Sequence, residues 1–355
     1  MSAVRTFGIS LAVTAAALGA GYAYGGFKGL YLLVVLAVLE VSLSFDNAII
    51  NASILKRMSR FWQRMFLTIG ILVAVFGMRL LFPLLIVWVT AGLNPLRAMR
   101  LALHPPPHGA LEFPDGSPSY EKLVIAAHPQ IAAFGGIFLL MLFLDFLFYD
   151  RDIKWLKWIE APFARLGRFG QVSMVFTGLV LVMVRTQLTH SAGEAATVLT
   201  AGLLGMVTYL VVNGVSRAFR PSDAEAGTGQ AVTGWAGLSL FLYLEVLDAA
   251  FSFDGVTGAF AITSDPVIIA LGLGLVGSMF VRSITIYLVG QETLGRYVYL
   301  EHGAHWAIGA LAIIMLASIE PRFEIPEPVT ASVGVVFIAA ALGWSILHNR
   351  RAAAP

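Results

Sequence analysis

The sequence predicts an all-α, polytopic transmembrane helical bundle of about ten spans, or nine if the first segment is a signal, with an inverted-topology internal repeat. Three observations predict it. Of 355 residues, 58% are hydrophobic and only 12% charged, and the mean hydropathy is +0.81, too little polar surface for a soluble domain. Ten apolar stretches reach or approach the length that crosses about 30 Å of hydrocarbon. An acidic motif occurs twice, in stretches separated by an odd number of crossings.

The apolar stretches run over 7–26, 30–55, 65–92, 130–149, 172–190, 195–215, 234–262, 266–290, 303–319 and 329–347. The first reads as an uncleaved helix or as a secretory signal, since Arg5 precedes an apolar Leu11–Ala20 core. The connection 94–129 holds His104, His108 and Asp115-Gly116 around a run of prolines, and predicts an irregular cap whose histidines are solvated. Residues 150–171, with Trp155, Trp158, Lys154, Lys157, Arg165 and Arg168, predict an amphipathic stretch at the membrane interface. The Gly- and Ser-bearing run 221–232 predicts a flexible linker.

These boundaries divide the chain into an N-terminal helix or signal-like segment (1–29), a first repeat of three helices (30–149), an interfacial stretch with two connecting helices and the linker (150–232), a second repeat of three helices (233–320), and a C-terminal helix and tail (321–355). Orientation follows from Lys and Arg outside the spans. The face with both termini carries fifteen of them against six opposite, which predicts cytoplasmic termini. A net charge of +2 gives no reason to expect nucleic acid. The absence of cysteine excludes thiolate metal sites and iron–sulfur clusters and leaves oxygen and imidazole as metal ligands.

The repeat carries the chemistry. Leu39-Glu40-Val41-Ser42-Leu43-Ser44-Phe45-Asp46-Asn47 matches Leu247-Asp248-Ala249-Ala250-Phe251-Ser252-Phe253-Asp254-Gly255, and Glu245 adds an acid one turn before Asp248. A lone arginine follows in the next apolar stretch of each copy, Arg79 and Arg282. Five crossings separate the copies, so they run in opposite directions, a plan on which many transporters build a midplane site. Five acids at helix centres cost on the order of 12–17 kcal/mol before any pairing. Two arginines leave three formal negative charges. The structural alternative, in which the arginines pair with two acids and the rest protonate or bind water, does not explain why the pattern occurs twice. A divalent cation or a proton relay does.

Glu40, Ser44, Asn47 and Asn51 share one helix face, as do Glu245, Asp248 and Ser252, whereas Asp46 and Asp254 fall about 120° away. That predicts either unwinding at Ser-Phe-Asp, with Gly255 and Gly258 favouring a break in the second copy, or aspartates that address another neighbour, such as the arginine of their own copy. The candidate metal ligands are Glu40, Asp46, Asn47, Glu245, Asp248 and Asp254, supported by Ser44, Ser252, Arg79 and Arg282. Oxygen donors favour Mn²⁺, Mg²⁺ or Ca²⁺. Met78 and Met279 near the arginines read as core filling, with thioether ligation as the alternative. Asp145 is expected at the interface or on Arg151, His302 and His305 as a hydrated interfacial pair, and Glu292 and Glu320 as solvated helix ends. No phosphate loop, HExxH or nucleophile triad is present, so an enzyme is not expected.

At Glu40–Asn47 and Glu245–Asp254 the chain resembles the TerC-like family of bacterial membrane proteins, associated with tellurium resistance and, in some members, manganese export. Glu40, Asp46 and Asn47 match the first motif of that family, and Glu245, Asp248, Phe251 and Asp254 the second. Gly255 stands where the family has serine and Thr257 near its proline, as in a divergent branch. The resemblance implies an inner-membrane exporter of a divalent cation, manganese first, exchanging it against protons and holding no permanent cofactor. Transport of another cation such as calcium, or a non-transporting scaffold in a metal or tellurite stress complex, are the alternatives.

The charge asymmetry has a direct test. Single cysteines at Ser59 and Ser222 are expected to resist an impermeant thiol reagent applied to intact cells and to react once the membrane is permeabilised. Strong labelling of either from outside contradicts the orientation.

Overall fold

A computed structural model describes residues 3–43, 45–70, 73, 96–97, 100–101, 104, 106, 110–218, 232–263, 265–290 and 297–352. Within them, the side chains of 3–5, 39, 42–43, 45–47, 212, 215–218, 249–262, 266, 290, 327–328, 331 and 352 are not described. The named elements are helical: α1 (Ala3–Leu43), α2 (Phe45–Leu55), α3 (Arg60–Met65) running into a π-helical turn Phe66–Gly70, α4 (Tyr120–Phe148), α5 (Lys157–Leu166), α6 (Val172–Gln187), α7 (Ala192–Ala218), α8 (Gly234–Ile262), α9 (Pro266–Ile269), a π-helical stretch Ala270–Gly277, α10 (Ser278–Gly290), α11 (Leu300–Ala317) and α12 (Glu327–Ala352). Six of the described helical stretches are long and apolar enough to cross a membrane, or seven if the bent pair Lys157–Phe169 and Val172–Gln187 is one span.

α4 is the spine. Its apolar window is 89% buried, and it packs against α5, α6, α7, α8 and α11. At the periphery the most apolar windows are only 17% buried in α12 and 22% in α1. Water would penalise such uncovered helices, and hydrocarbon does not. The fold is that of a helical membrane protein. α4 also starts ten residues earlier than hydropathy indicates, because Ser119 caps its first turn by accepting from the Lys122 amide at 3.1 Å and the helix runs on through Pro129.

α1 is two helical arms. They meet at Gly26, whose φ of 59° and ψ of −147° are closed to residues with a Cβ. The second arm doubles back, bringing Leu33 against Gly21. The first arm is held to α10 by Ser10, whose hydroxyl donates to the Met279 carbonyl at 2.7 Å and pairs with the Ser283 hydroxyl at 2.6 Å. The expected boundary between the first and second apolar stretches therefore falls where the chain turns, with no loop between them.

The stretch 150–171 is amphipathic as expected, but a buried carboxylate anchors it. Glu160, 4% exposed, accepts from the amides of Trp155 (3.0 Å) and Leu156 (3.3 Å) and from Trp306 Nε1 (3.1 Å), and meets His302 Nδ1 at 3.3 Å. Burial alone pushes this carboxyl up, yet the bonds from His302 and Trp306, the His302 charge and the Leu156 amide together hold it below the usual range. Glu160 fastens α5 across the start of α11.

Gly26 supplies a test. Gly26→Ala is expected to destabilise the detergent-purified protein by about 1–3 kcal/mol, and Gly26→Asn to be no better, because a ψ near −147° lies outside the left-handed region that asparagine tolerates. Thermal unfolding of the three proteins side by side checks this, and an unchanged midpoint for Ala removes the turn's requirement for glycine.

Candidate functional site

The second arm of α1 and the helix α8 bring the acids into the protein interior. Glu40 is 1% exposed, Glu245 5% and Asp248 4%. Glu245 and Asp248 stand one turn apart on one face of α8, close enough for their charges to interact. Both carboxylate oxygens of Glu245 are buried without a hydrogen-bond partner, as is Oδ1 of Asn51 on α2. An unbonded buried oxygen costs about 1–3 kcal/mol, and more when charged.

Each glutamate is seated against a glycine. A Cβ on Gly70 would stand 2.5 Å from Glu245 Oε1, and one on Gly277 would stand 2.0 Å from Glu40 Cγ. Both glycines end π-helical segments, Phe66–Gly70 and Ala270–Gly277. Such wider turns arise often at functional sites, since they shift one helix face relative to the next and loosen the carbonyl ladder. The Leu67 carbonyl in the first π turn accepts from Arg282 Nε at 2.8 Å.

The contacts around these glycines share a register. Met58 bridges Val232 in parallel, Trp62 lies on Gly237, and Gly70 meets Glu245, so the stretch 58–70 and α8 run side by side in the same direction. Likewise Gly29 meets Ile268, Gly272 meets Leu33 and Leu36, and Gly277 meets Glu40, so the second arm of α1 runs parallel to 268–277. Each acidic helix thus lies along the helix that follows the other acidic helix.

Several sequence expectations are corrected. α8 runs unbroken from Gly234 to Ile262, so no break occurs at Gly255 or Gly258; that leaves the Asp254 position about 120° around the helix from Asp248 and about 180° from Glu245. In the first copy α1 ends at Leu43 and α2 begins at Phe45, and Ser44 lies outside the described residues. Arg282 addresses a backbone carbonyl of the opposite pair. Arg79 lies outside the described residues, as do the side chains of Asp46, Asn47, Ser252 and Asp254. Among the described residues no three His, Asp or Glu side chains gather as a metal-binding group.

The minor polar residues are also reassigned. Asp145 accepts from Tyr209 Oη (2.7 Å) and Asn213 Nδ2 (3.2 Å). His302 and His305 are buried, the first on Glu160 and the second stacked on Phe146 at 3.9 Å with Nδ1 2.8 Å from the Glu301 carbonyl oxygen. Glu320 is 6% exposed and pairs with His190, while Glu292 lies outside the described residues. His104 is exposed as expected, with Nδ1 3.0 Å from the Arg100 carbonyl oxygen; His108 is not described. Glu160 was missed altogether, because an acid in an amphipathic stretch gives no sequence sign that a histidine and an indole far along the chain will meet it.

The fold and these acids define a helical membrane protein with carboxylates set inside its bundle. The chain belongs to the family described as "Protein of unknown function (DUF475)", whose pattern matches residues 45–352. That span runs from α2 through α12 and begins just after Glu40. No curated protein and no solved structure matches the chain.

The glycine seats are tested as a pair. Gly277→Ala meets Cγ and Cβ of Glu40, atoms that cannot move far, and is expected to cost about 1–3 kcal/mol by overpacking. Gly70→Ala meets the far end of Glu245 at 2.5 Å and the Phe66 ring less closely at 3.0 Å, and is expected to cost less while displacing the carboxylate. Unfolding midpoints of both variants decide it, and equal midpoints argue against the difference in crowding.

Proposed function

We infer that this protein is a transporter rather than an enzyme, carrying a hard divalent cation across the membrane, with manganese the first ion to test. The observation that carries the reading is Glu245. Its carboxylate is buried in an apolar bundle with both oxygens unbonded, next to Asp248 and in a chain where Glu40 and Asn51 are buried as well. Lone pairs held in that state want a cation or a proton. A hard ion such as Mn²⁺ takes carboxylate and amide oxygens in preference to softer donors.

The crossed pairing supports an inverted repeat. The motif alignment carries Glu245 to Ala37, and the alignment of the two arginines carries Gly70 to Leu273. Ala37 and Leu273 fall on the same register that sets Leu36 on Gly272 and Glu40 on Gly277. The Glu245–Gly70 contact and its image therefore coincide in kind, as a two-fold relation requires. Glu40, Asp46, Asn47, Glu245, Asp248 and Asp254 are the proposed ligands or proton-relay groups, with Ser44 and Ser252 beside them. Arg79 is left to balance the aspartates, while Arg282 is held on the Leu67 carbonyl. The resemblance of both motifs to the TerC-like pattern points to the same cargo, to protons as counter-ion and to a bacterial inner membrane with both termini cytoplasmic.

Glutamine at 245 keeps shape and removes charge. In proteoliposomes, Glu245→Gln is expected to lower Mn²⁺ flux by at least about tenfold while the purified protein stays monodisperse, since glutamine keeps the size and shape of the buried side chain. Asp46→Asn and Asp254→Asn should lose flux similarly if they are ligands; if they only balance an arginine, loss of about 3–5 kcal/mol of stability comes first. Wild-type flux in a well-folded Glu245→Gln protein removes this carboxylate from the mechanism.

A further inference from the structure

A cavity of about 590 Å³ enters the bundle at one end. Its walls come from α2, α4, α7, α8 and α11, and from the segment just after α4. The outermost of these wall residues border connections on the face that carries the excess of Lys and Arg: Arg57, Arg151, Asn213 and Glu301 stand in or beside the loops 56–64, 150–171, 216–232 and 291–302. Exposed Arg57 and Glu301 mark the mouth, and buried Ile50, Leu142 and Leu240 mark the inner end.

The inner end lies close to the acids. Ile50 is one turn along α2 from Asp46 and Asn47, and Leu240 precedes Glu245 on α8 by about 7.5 Å of helix rise. The lining charges offset one another, Arg57 and Arg151 against Asp145 and Glu301. Arg151 is drawn aside over the Phe146 ring at 3.8 Å, and Asp145 is fixed by Tyr209 and Asn213. Such a lining wets a passage without selecting an ion, and selection falls to the carboxylates beyond it. Buried Ile50, Leu142 and Leu240 stand at the inner end, apolar bulk of the kind that gates by dewetting.

We propose that this cavity is the vestibule through which the cation reaches the buried acids from the basic face, closed at its inner end by an apolar constriction of Ile50, Leu142 and Leu240. It is the loading side of an exporter if that face is cytoplasmic. The proposal rests on the transport reading above.

The chain has no cysteine, so single cysteines report cleanly. Ser53→Cys and Asn213→Cys line the cavity, and Asp152→Cys sits exposed on the same face outside its lining. Each is reconstituted and treated from that face with a methanethiosulfonate carrying a trimethylammonium group, and both the extent of labelling and Mn²⁺ flux are measured, with Glu245→Gln alongside. Ser53→Cys and Asn213→Cys are expected to label fully and lose flux by about tenfold or more, and Asp152→Cys to label and stay within about twofold. Failure of both lining cysteines to label in the folded protein overturns the water path. Full labelling of both with flux intact, while Glu245→Gln is inactive, overturns the vestibule and leaves the transport reading standing. If the unmodified protein moves no Mn²⁺, the transport reading falls and the vestibule with it.

Discussion

The structure turns on a carboxylate that hydrocarbon cannot solvate. Backbone groups in a membrane helix satisfy one another, but an acid side chain has to find its partner elsewhere. Here Glu245 faces the interior with no donor on either oxygen, and Glu40 is wedged so tightly that only glycine fits opposite it. Burial in protein rather than exposure to lipid is the first half of the answer, and among the described residues α4 is the most deeply buried candidate span at 89%. On the transport reading proposed above, a bound cation is the second half.

Glycine and the π turns follow from that constraint. Two helices that approach closely enough to shield an acid need a small residue at the contact, and a π turn lets a helix shift its face to place one there. The same turn loosens a carbonyl, and Arg282 takes the one at Leu67. An arginine that bonds backbone leaves the carboxylates their negative charge, which a pure ion-pairing arrangement would have cancelled. That division of labour suits a site that must hold a cation and also release it.

Features set by local chemistry were legible in the sequence. The all-helical, membrane-spanning character of the chain and the amphipathic character of 150–171 follow from hydropathy. Features set by tertiary contact were not. Nothing in Phe66–Gly70 announces a π turn, and Gly255 and Gly258 suggested a break in α8 that packing overrides. Glu160, His302 and Trp306 are far apart in the chain and meet only once α5 folds over α11. Glu320 looked like a solvated helix end until His190 closed over it.

The parallel registers bear on how such a site would move. Glu40 travels with Gly277 and Glu245 with Gly70, so each acid is tied to a helix from the other copy. The bridge between Met58 and Val232 ties the same two copies at the basic face, through the Ser59 amide on the Val232 carbonyl at 2.9 Å and the Val232 amide on the Arg57 carbonyl at 2.9 Å. Sliding one copy as a rigid unit against the other would break these seats and strand both glutamates. Motion that keeps each crossed pair intact, α8 with 58–70 and the second arm of α1 with 268–277, costs far less. On the transport reading proposed above, the moving units would then be the crossed pairs, with the acids at the seam between them, and a change of access from one face to the other would open that seam without uncovering either carboxylate to lipid.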